Sequence, residues 1–163
     1  MNITHCKTNH IKNPIGYAME QASVSWIAES QQSTRQEKAQ VLVALDANMK
    51  HILHCEEFAQ STGTKLPIKL QPRTRYYWTV QVWGNGGDTA VSEINFFETG
   101  KRQSKLEGHW ITPSWEDQSI SPYIRKELHI PAVRKARLYI TGLGLYWLEI
   151  NGKRVCDEYF APG

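Results

Sequence analysis

A chain of 163 residues, 40% of them hydrophobic, with a net charge of +3 from 19 basic and 16 acidic groups, suffices for one large domain or two small ones. So small and dispersed a positive charge excludes the electrostatic footprint of a nucleic-acid or acidic-membrane binder. No apolar run approaches the roughly 18 residues of a membrane span, and the three scattered cysteines, Cys6, Cys55 and Cys156, do not form a disulfide framework.

The opening residues, Met1-Asn2-Ile3-Thr4-His5-Cys6-Lys7, lack the apolar centre of a secretory signal. With the odd cysteine number this predicts reduced thiols and a cytoplasmic protein, although a Cys6–Cys55 pair stays open. The first strand candidates follow. Ala22, Val24, Trp26 and Ala28 share one face of a short run, and Ala39, Val41, Val43 and Leu45 share one face of the next. Between them Gln31 to Lys38 is polar throughout and reads as a loop with room for a single helical turn. Asp46-Ala47-Asn48 is a turn, with a further strand near His51 to Cys55.

The most informative stretch runs from Leu70-Gln71-Pro72-Arg73-Thr74-Arg75 into Tyr76-Tyr77-Trp78-Thr79-Val80-Gln81-Val82-Trp83. Tyr76, Trp78, Val80 and Val82 point one way and their neighbours the other, the period of a half-buried strand. A tyrosine heading such a strand just after Leu-x-Pro-x-Thr has the layout of a tyrosine corner, with a buried ring and a hydroxyl bonded to nearby backbone. Gly84-Asn85-Gly86-Gly87 then turns the chain. It is not a phosphate loop, because no Lys-Ser/Thr and no helix follow. Thr89 to Thr99 closes the set, and of the adjacent Phe96 and Phe97 only one can face inward. Short strands at this spacing predict a fibronectin type III or immunoglobulin-like sandwich over residues 1–100.

Residues 101–107 are charged, poor in apolar side chains, and read as a linker. Beyond them, residues 108–163 keep a β vocabulary: strand candidates at Tyr123 to Ile130 and Arg137 to Thr141, and a bend at Gly142-Leu143-Gly144. Leu145 to Ile150 then leads into Asn151-Gly152, a strong hairpin signal, with Lys153 to Asp157 returning. If Tyr146, Leu148 and Ile150 point inward, Trp147 and Glu149 point out. The expectation is an all-β chain whose second module is a partial jelly-roll β-sandwich, cut short at its C-terminus. Its unpaired edge and apolar residues such as Leu138, Ile140 and Leu148 invite a second copy of the same surface, hence a homodimer.

Few residues suggest chemistry. Glycoside hydrolysis needs two facing carboxyl groups, whereas the adjacent pairs Glu56-Glu57 and Glu116-Asp117 would point to opposite faces of a strand. His51 and His54, near Cys55, would likewise diverge, so no metal site, cofactor or catalytic residue is assigned. Among the six tryptophans, Trp26 and Trp78 lie on apolar faces and read as core. Trp83, Trp115 and Trp147 read as outward. They are candidates for an interface or for carbohydrate contact, since pyranose C–H groups pack on aromatic faces.

Taken in order, several motifs resemble one family. They are Asn13-Pro14-Ile15-Gly16, Trp26, the Leu70 to Val80 alternation, Phe97-Glu98-Thr99-Gly100, Trp110-Ile111 and Ile124-Arg125-Lys126. The most specific is Ala136-Arg137-Leu138-Tyr139-Ile140-x-Gly142-x-Gly144-x-Tyr146, leading to Asn151-Gly152-Lys153-Arg154-Val155 and Ala161-Pro162-Gly163. This order resembles the N-terminal region of bacterial α-L-rhamnosidases, inverting glycoside hydrolases that remove terminal rhamnose. The resemblance implies a fibronectin-type module followed by a carbohydrate-binding-like jelly-roll, with catalysis in a helical barrel further along such chains. It implies a non-catalytic scaffold whose partners are the catalytic domain and a rhamnose-containing carbohydrate, with no nucleic acid and no membrane. The alternatives are a stand-alone carbohydrate-binding module and a protein-interaction module of fibronectin type.

Overall fold

The computed structural model describes residues 1–59, 61–101, 103–105, 107–115, 117, 119–133 and 136–155. The chain divides into two compact units, Met1–His109 and Trp110–Gly163, and the described residues contain no helix. In the first unit the strands are β1 (Asn2–Thr8), β2 (Ile15–Tyr17), β3 (Ser23–Glu29), β4 (Gln36–Ala44), β5 (Ile52–Ala59), β6 (Gly63–Lys65), β7 (Arg75–Gly84), β8 (Thr89–Val91) and β9 (Asn95–Thr99). One sheet runs β1-β3-β6; the other runs β2-β9-β7-β4-β5, with β8 also on β7. The all-β sandwich expected from the strand spacing is therefore present.

The core lies between the sheets. Cys6, Val24 and Trp26 meet Val41, Val43, Trp78, Val80, Val82 and Phe97 in one buried cluster, each large side chain worth about 1.5–3 kcal/mol on burial. β7 alternates without a break, its even-numbered residues buried and its odd-numbered ones half-covered. Trp78 spans the sandwich, its Nε1–H donating to Thr8 Oγ1 of β1 at 3.1 Å.

The tyrosine corner is present. Tyr76 is buried, its ring stacks on Phe97 with centroids 5.1 Å apart, and its hydroxyl oxygen accepts the Gln71 backbone N–H at 2.7 Å. Register decides between the two phenylalanines: Phe97 lies opposite Tyr76 and shares its inward face, while Phe96 lies opposite Tyr77 on the outer one. Tyr76→Phe is expected to lower stability by about 0.5–1.5 kcal/mol, with a further penalty if the Gln71 N–H stays dry. An unchanged urea midpoint would remove the corner from the stability of this unit.

Two local departures from simple alternation have clear causes. The β4–β5 register slips between Val43 and Ala44, with Leu53 of β5 unopposed, and β4 ends at Ala44, so Leu45, expected on the inner face, lies beyond the strand and is 46% exposed. The segment from Thr89 to Thr99 is two strands, with Ser92 filling the break. Its N–H donates to Val80 O at 2.9 Å and its Oγ accepts the Val80 N–H at 3.1 Å. The backbone groups freed by the kink are thereby satisfied. Gln31 to Arg35 forms bends rather than a helical turn, and β4 begins at Gln36.

In the second unit, β10 (Glu149–Ile150) and β11 (Lys153–Arg154) form the hairpin. Asn151 (φ 52°) and Gly152 (φ 71°) are both left-handed, as a type I′ turn requires. The strand candidates at 123–130 and 137–141 form no ladder among the described residues, and Tyr123 and Leu138 are exposed. Alternation supplies a face, but a strand also needs a neighbour for its N–H and C=O groups. Cys156, Asp157 and Ala161-Pro162-Gly163 lie outside the described residues.

Candidate functional site

At one end of the first unit two loops close on a carboxylate that sequence reasoning missed. Asp88 Oδ2 accepts the Ser30 hydroxyl at 2.6 Å, Oδ1 accepts the Ser33 hydroxyl, and the Met1 ammonium lies 3.3 Å away. Gly84 and Gly86 permit the approach: a Cβ on Gly86 would come within 2.6 Å of the Gln32 carbonyl oxygen. A shallow depression bordered by Met1, Glu29, Gln32 and Asp88 opens beside it. The hydroxyls of Ser30 and then Ser33 hold the Asp88 carboxyl at about 2. Both carboxylate oxygens are taken up by hydroxyls of the 30–33 loop, so the cluster is a latch between loops. The only trace of it in the sequence is the polar 31–38 stretch and the glycine-rich turn.

Asp46 is held likewise. It accepts the backbone N–H groups of His51 (2.7 Å), Lys50 (3.0 Å) and Asn48 (3.0 Å), and the His51 bond contributes most to bringing it to about 2. The fold thus favours both carboxyls ionised, below their ordinary value of about 3.9. Their stabilisation is fully present above pH about 4 and is lost as pH falls towards 2. Thermal melts between pH 5 and 2 are expected to show this acid loss, and to show less of it in Asp88→Asn. An unchanged acid slope in that variant would count against the latch.

The outward tryptophans stand in three different settings. Trp83 is half-buried on the outer face of β7 under the Lys38 ammonium, 4.3 Å from its centroid; Lys38 in turn pairs with Glu57 at 3.0 Å. Trp115 is exposed in a loop of the second unit. Trp147 is 59% exposed, lies under the Arg154 guanidinium at 4.1 Å, and donates its Nε1–H to Glu149 at 2.9 Å. Trp26 and Trp78 are core.

The adjacent carboxylates Glu56 and Glu57 form no facing dyad. Glu56 and Glu57 lie opposite Val41 and Gln40 on successive positions of β5, and so on opposite faces. Asp117 accepts the Ser119 hydroxyl and N–H, and Glu116 lies outside the described residues. His51 and His54 are taken up by Asp46 (3.1 Å) and Glu56 (3.3 Å). Among the described residues no group of three or more His, Cys, Asp or Glu side chains could hold a metal ion. Cys6 is buried and Cys55 exposed, both as free thiols, and burial pushes the Cys6 thiol up.

Beneath the outer face of the large sheet, Glu98 is fully buried and pairs with Arg75 Nε at 2.9 Å, while the Arg75 guanidinium lies 4.3 Å over Phe96. This pair positions β7 against β9.

Known proteins resemble the chain in the same two parts. Residues 3–103 match the family described as the Rha78A-like, N-terminal immunoglobulin domain, and residues 131–163 match the alpha-L-rhamnosidase N-terminal domain. An alpha-L-rhamnosidase of Formosa agariphila is 28% identical over 94% of this chain but only 20% of its own length. The chain thus spans about a fifth of that relative. The structure of Streptomyces avermitilis alpha-L-rhamnosidase complexed with L-rhamnose superposes with a TM-score of 0.52 and 28% identity, over 61% of this chain and 10% of that one. The alpha-L-rhamnosidase from Dictyoglumus thermophilum shares the fold, with a TM-score of 0.54 and 21% identity over 64% of this chain and 13% of that one. With well over half of its residues matched to that first model, the chain belongs to the family of Rha78A-like N-terminal immunoglobulin domains and corresponds to the N-terminal region of α-L-rhamnosidases.

Proposed function

We propose that the chain is the non-catalytic N-terminal part of an α-L-rhamnosidase-like glycoside hydrolase and serves as a scaffold that positions the catalytic domain. The observation that carries this is the match of two consecutive rhamnosidase N-terminal segments, in order, on one chain. In this reading a sandwich at 1–100 and a module at 108–163 are joined by a linker at 101–107. Trp83, Trp115 and Trp147 then contact the catalytic domain or a rhamnose-containing carbohydrate. A cytoplasmic setting is part of the same proposal.

The purified chain is expected to release no aryl group from an aryl α-L-rhamnoside, yet to raise the melting temperature of a rhamnosidase catalytic region lacking its own N-terminal part. Turnover that survives repurification would overturn the non-catalytic reading. A catalytic region indifferent to saturating chain would overturn the scaffold.

A further inference from the structure

Asn-Gly occurs twice in the chain, at Asn85-Gly86 and at Asn151-Gly152, and the fold treats the two differently. The dipeptide is reactive because glycine has no Cβ to keep its backbone nitrogen away from the preceding side chain. That nitrogen can therefore reach the asparagine carboxamide carbon.

At Asn85 both reacting groups are fastened. Its Oδ1 accepts the backbone N–H groups of Thr34 and Arg35 at 2.9 and 3.2 Å, and its Nδ2 donates to Thr34 Oγ1 at 3.1 Å. The Gly86 N–H, on the attacking nitrogen, donates to Ser33 Oγ at 2.9 Å. The Asn85 N–H donates to Arg35 O at 3.1 Å, so the backbone is tied down as well. Asn151 has no such cage. It is exposed, and a Cβ on Gly152 would meet nothing within 4 Å. Its hairpin pairs only Glu149 with Arg154 and Ile150 with Lys153. So short a two-stranded ribbon is marginal in water and opens locally. Opening releases Asn151 from the left-handed backbone of the turn (φ 52°) and lets the two atoms meet.

We infer that Asn151 is a site of spontaneous deamidation and that the fold protects Asn85 from the same reaction. The Gly152 nitrogen bonds to Asn151 Cγ, the Cγ–Nδ2 bond breaks, and Nδ2 leaves as ammonia with the Gly152 proton. Water then opens the succinimide at either carbonyl, giving aspartate or isoaspartate. One water enters, one ammonia leaves, and nothing is oxidised or reduced. The isoaspartyl product adds a methylene to the backbone, and the register of a hairpin is fixed by the length of its turn. The modification therefore unmakes the hairpin that holds Trp147 under Arg154.

The test is peptide mapping of the full chain aged in mildly alkaline buffer, with and without denaturing urea. In the native chain the Asn151 peptide is expected to gain the amide-to-acid mass and an isoaspartyl form at least about tenfold faster than the Asn85 peptide, well within the span of local opening free energies in one protein. In urea the two should convert at similar rates. Equal native rates, or an Asn151 amide that persists in the native chain while urea converts it, would overturn the inference. So would an Asn85 that stays slow in urea, since its protection would then not come from the fold.

Discussion

Replacing Trp78 with alanine is expected to lower the stability of the first unit by about 3–5 kcal/mol, the range for deleting a fully buried large aromatic side chain. Its ring has no exposed surface and fills the space between the two sheets. Its indole N–H is the bond that ties β7 to Thr8 of β1. Truncation leaves a cavity and an unmatched hydroxyl in the same place. Against a total of about 5–15 kcal/mol for an ordinary domain, so large a loss moves the urea midpoint by at least about 1 M. Trp78→Phe should recover most of the packing but not the hydrogen bond, and so fall between the two. A midpoint for Trp78→Ala within about 0.3 M of the parent would show that the sheets do not depend on this side chain.

Glu98→Ala is expected to be nearly as damaging, about 3 kcal/mol, because removing one member of a buried ion pair leaves the other uncompensated. The figure sits at the low end of its range because the Arg75 side chain is 21% exposed and keeps a route to water. The test is a double-mutant cycle. Glu98→Leu combined with Arg75→Leu removes both charges and should be far milder than Glu98→Leu alone, since apolar replacement of a whole buried pair is often neutral. Additive losses in the cycle would mean that the two residues stabilise the sheet separately.

How much of this was legible beforehand depends on whether a feature is local. The alternation of Tyr76 to Val82 and the Asn151-Gly152 turn are properties of adjacent residues. A period of two assigns faces, and positive φ at both turn positions selects Asn-Gly, so neither needs a partner to be read. The tyrosine corner is nearly local too, because its acceptor and donor, Tyr76 and Gln71, are five residues apart. The choice between Phe96 and Phe97 was not legible, since it is set by which of them lies opposite Tyr76 in the ladder.

Nor could periodicity show the Asp88 latch, whose hydroxyls come from residues 55 and 58 positions away. The same holds for the burial of Glu98, a charged residue that any hydropathy pattern places outside. By itself, then, the amino-acid sequence determined the β class, the inward set of β7, the hairpin and the family, because each is written in short-range spacing or in the order of motifs. Which phenylalanine is core, which hydroxyls hold Asp88 and how Glu98 comes to be buried were decided only by the tertiary structure. The physical reason is that all three depend on pairing between segments distant along the chain, where register and burial rather than residue type set the outcome.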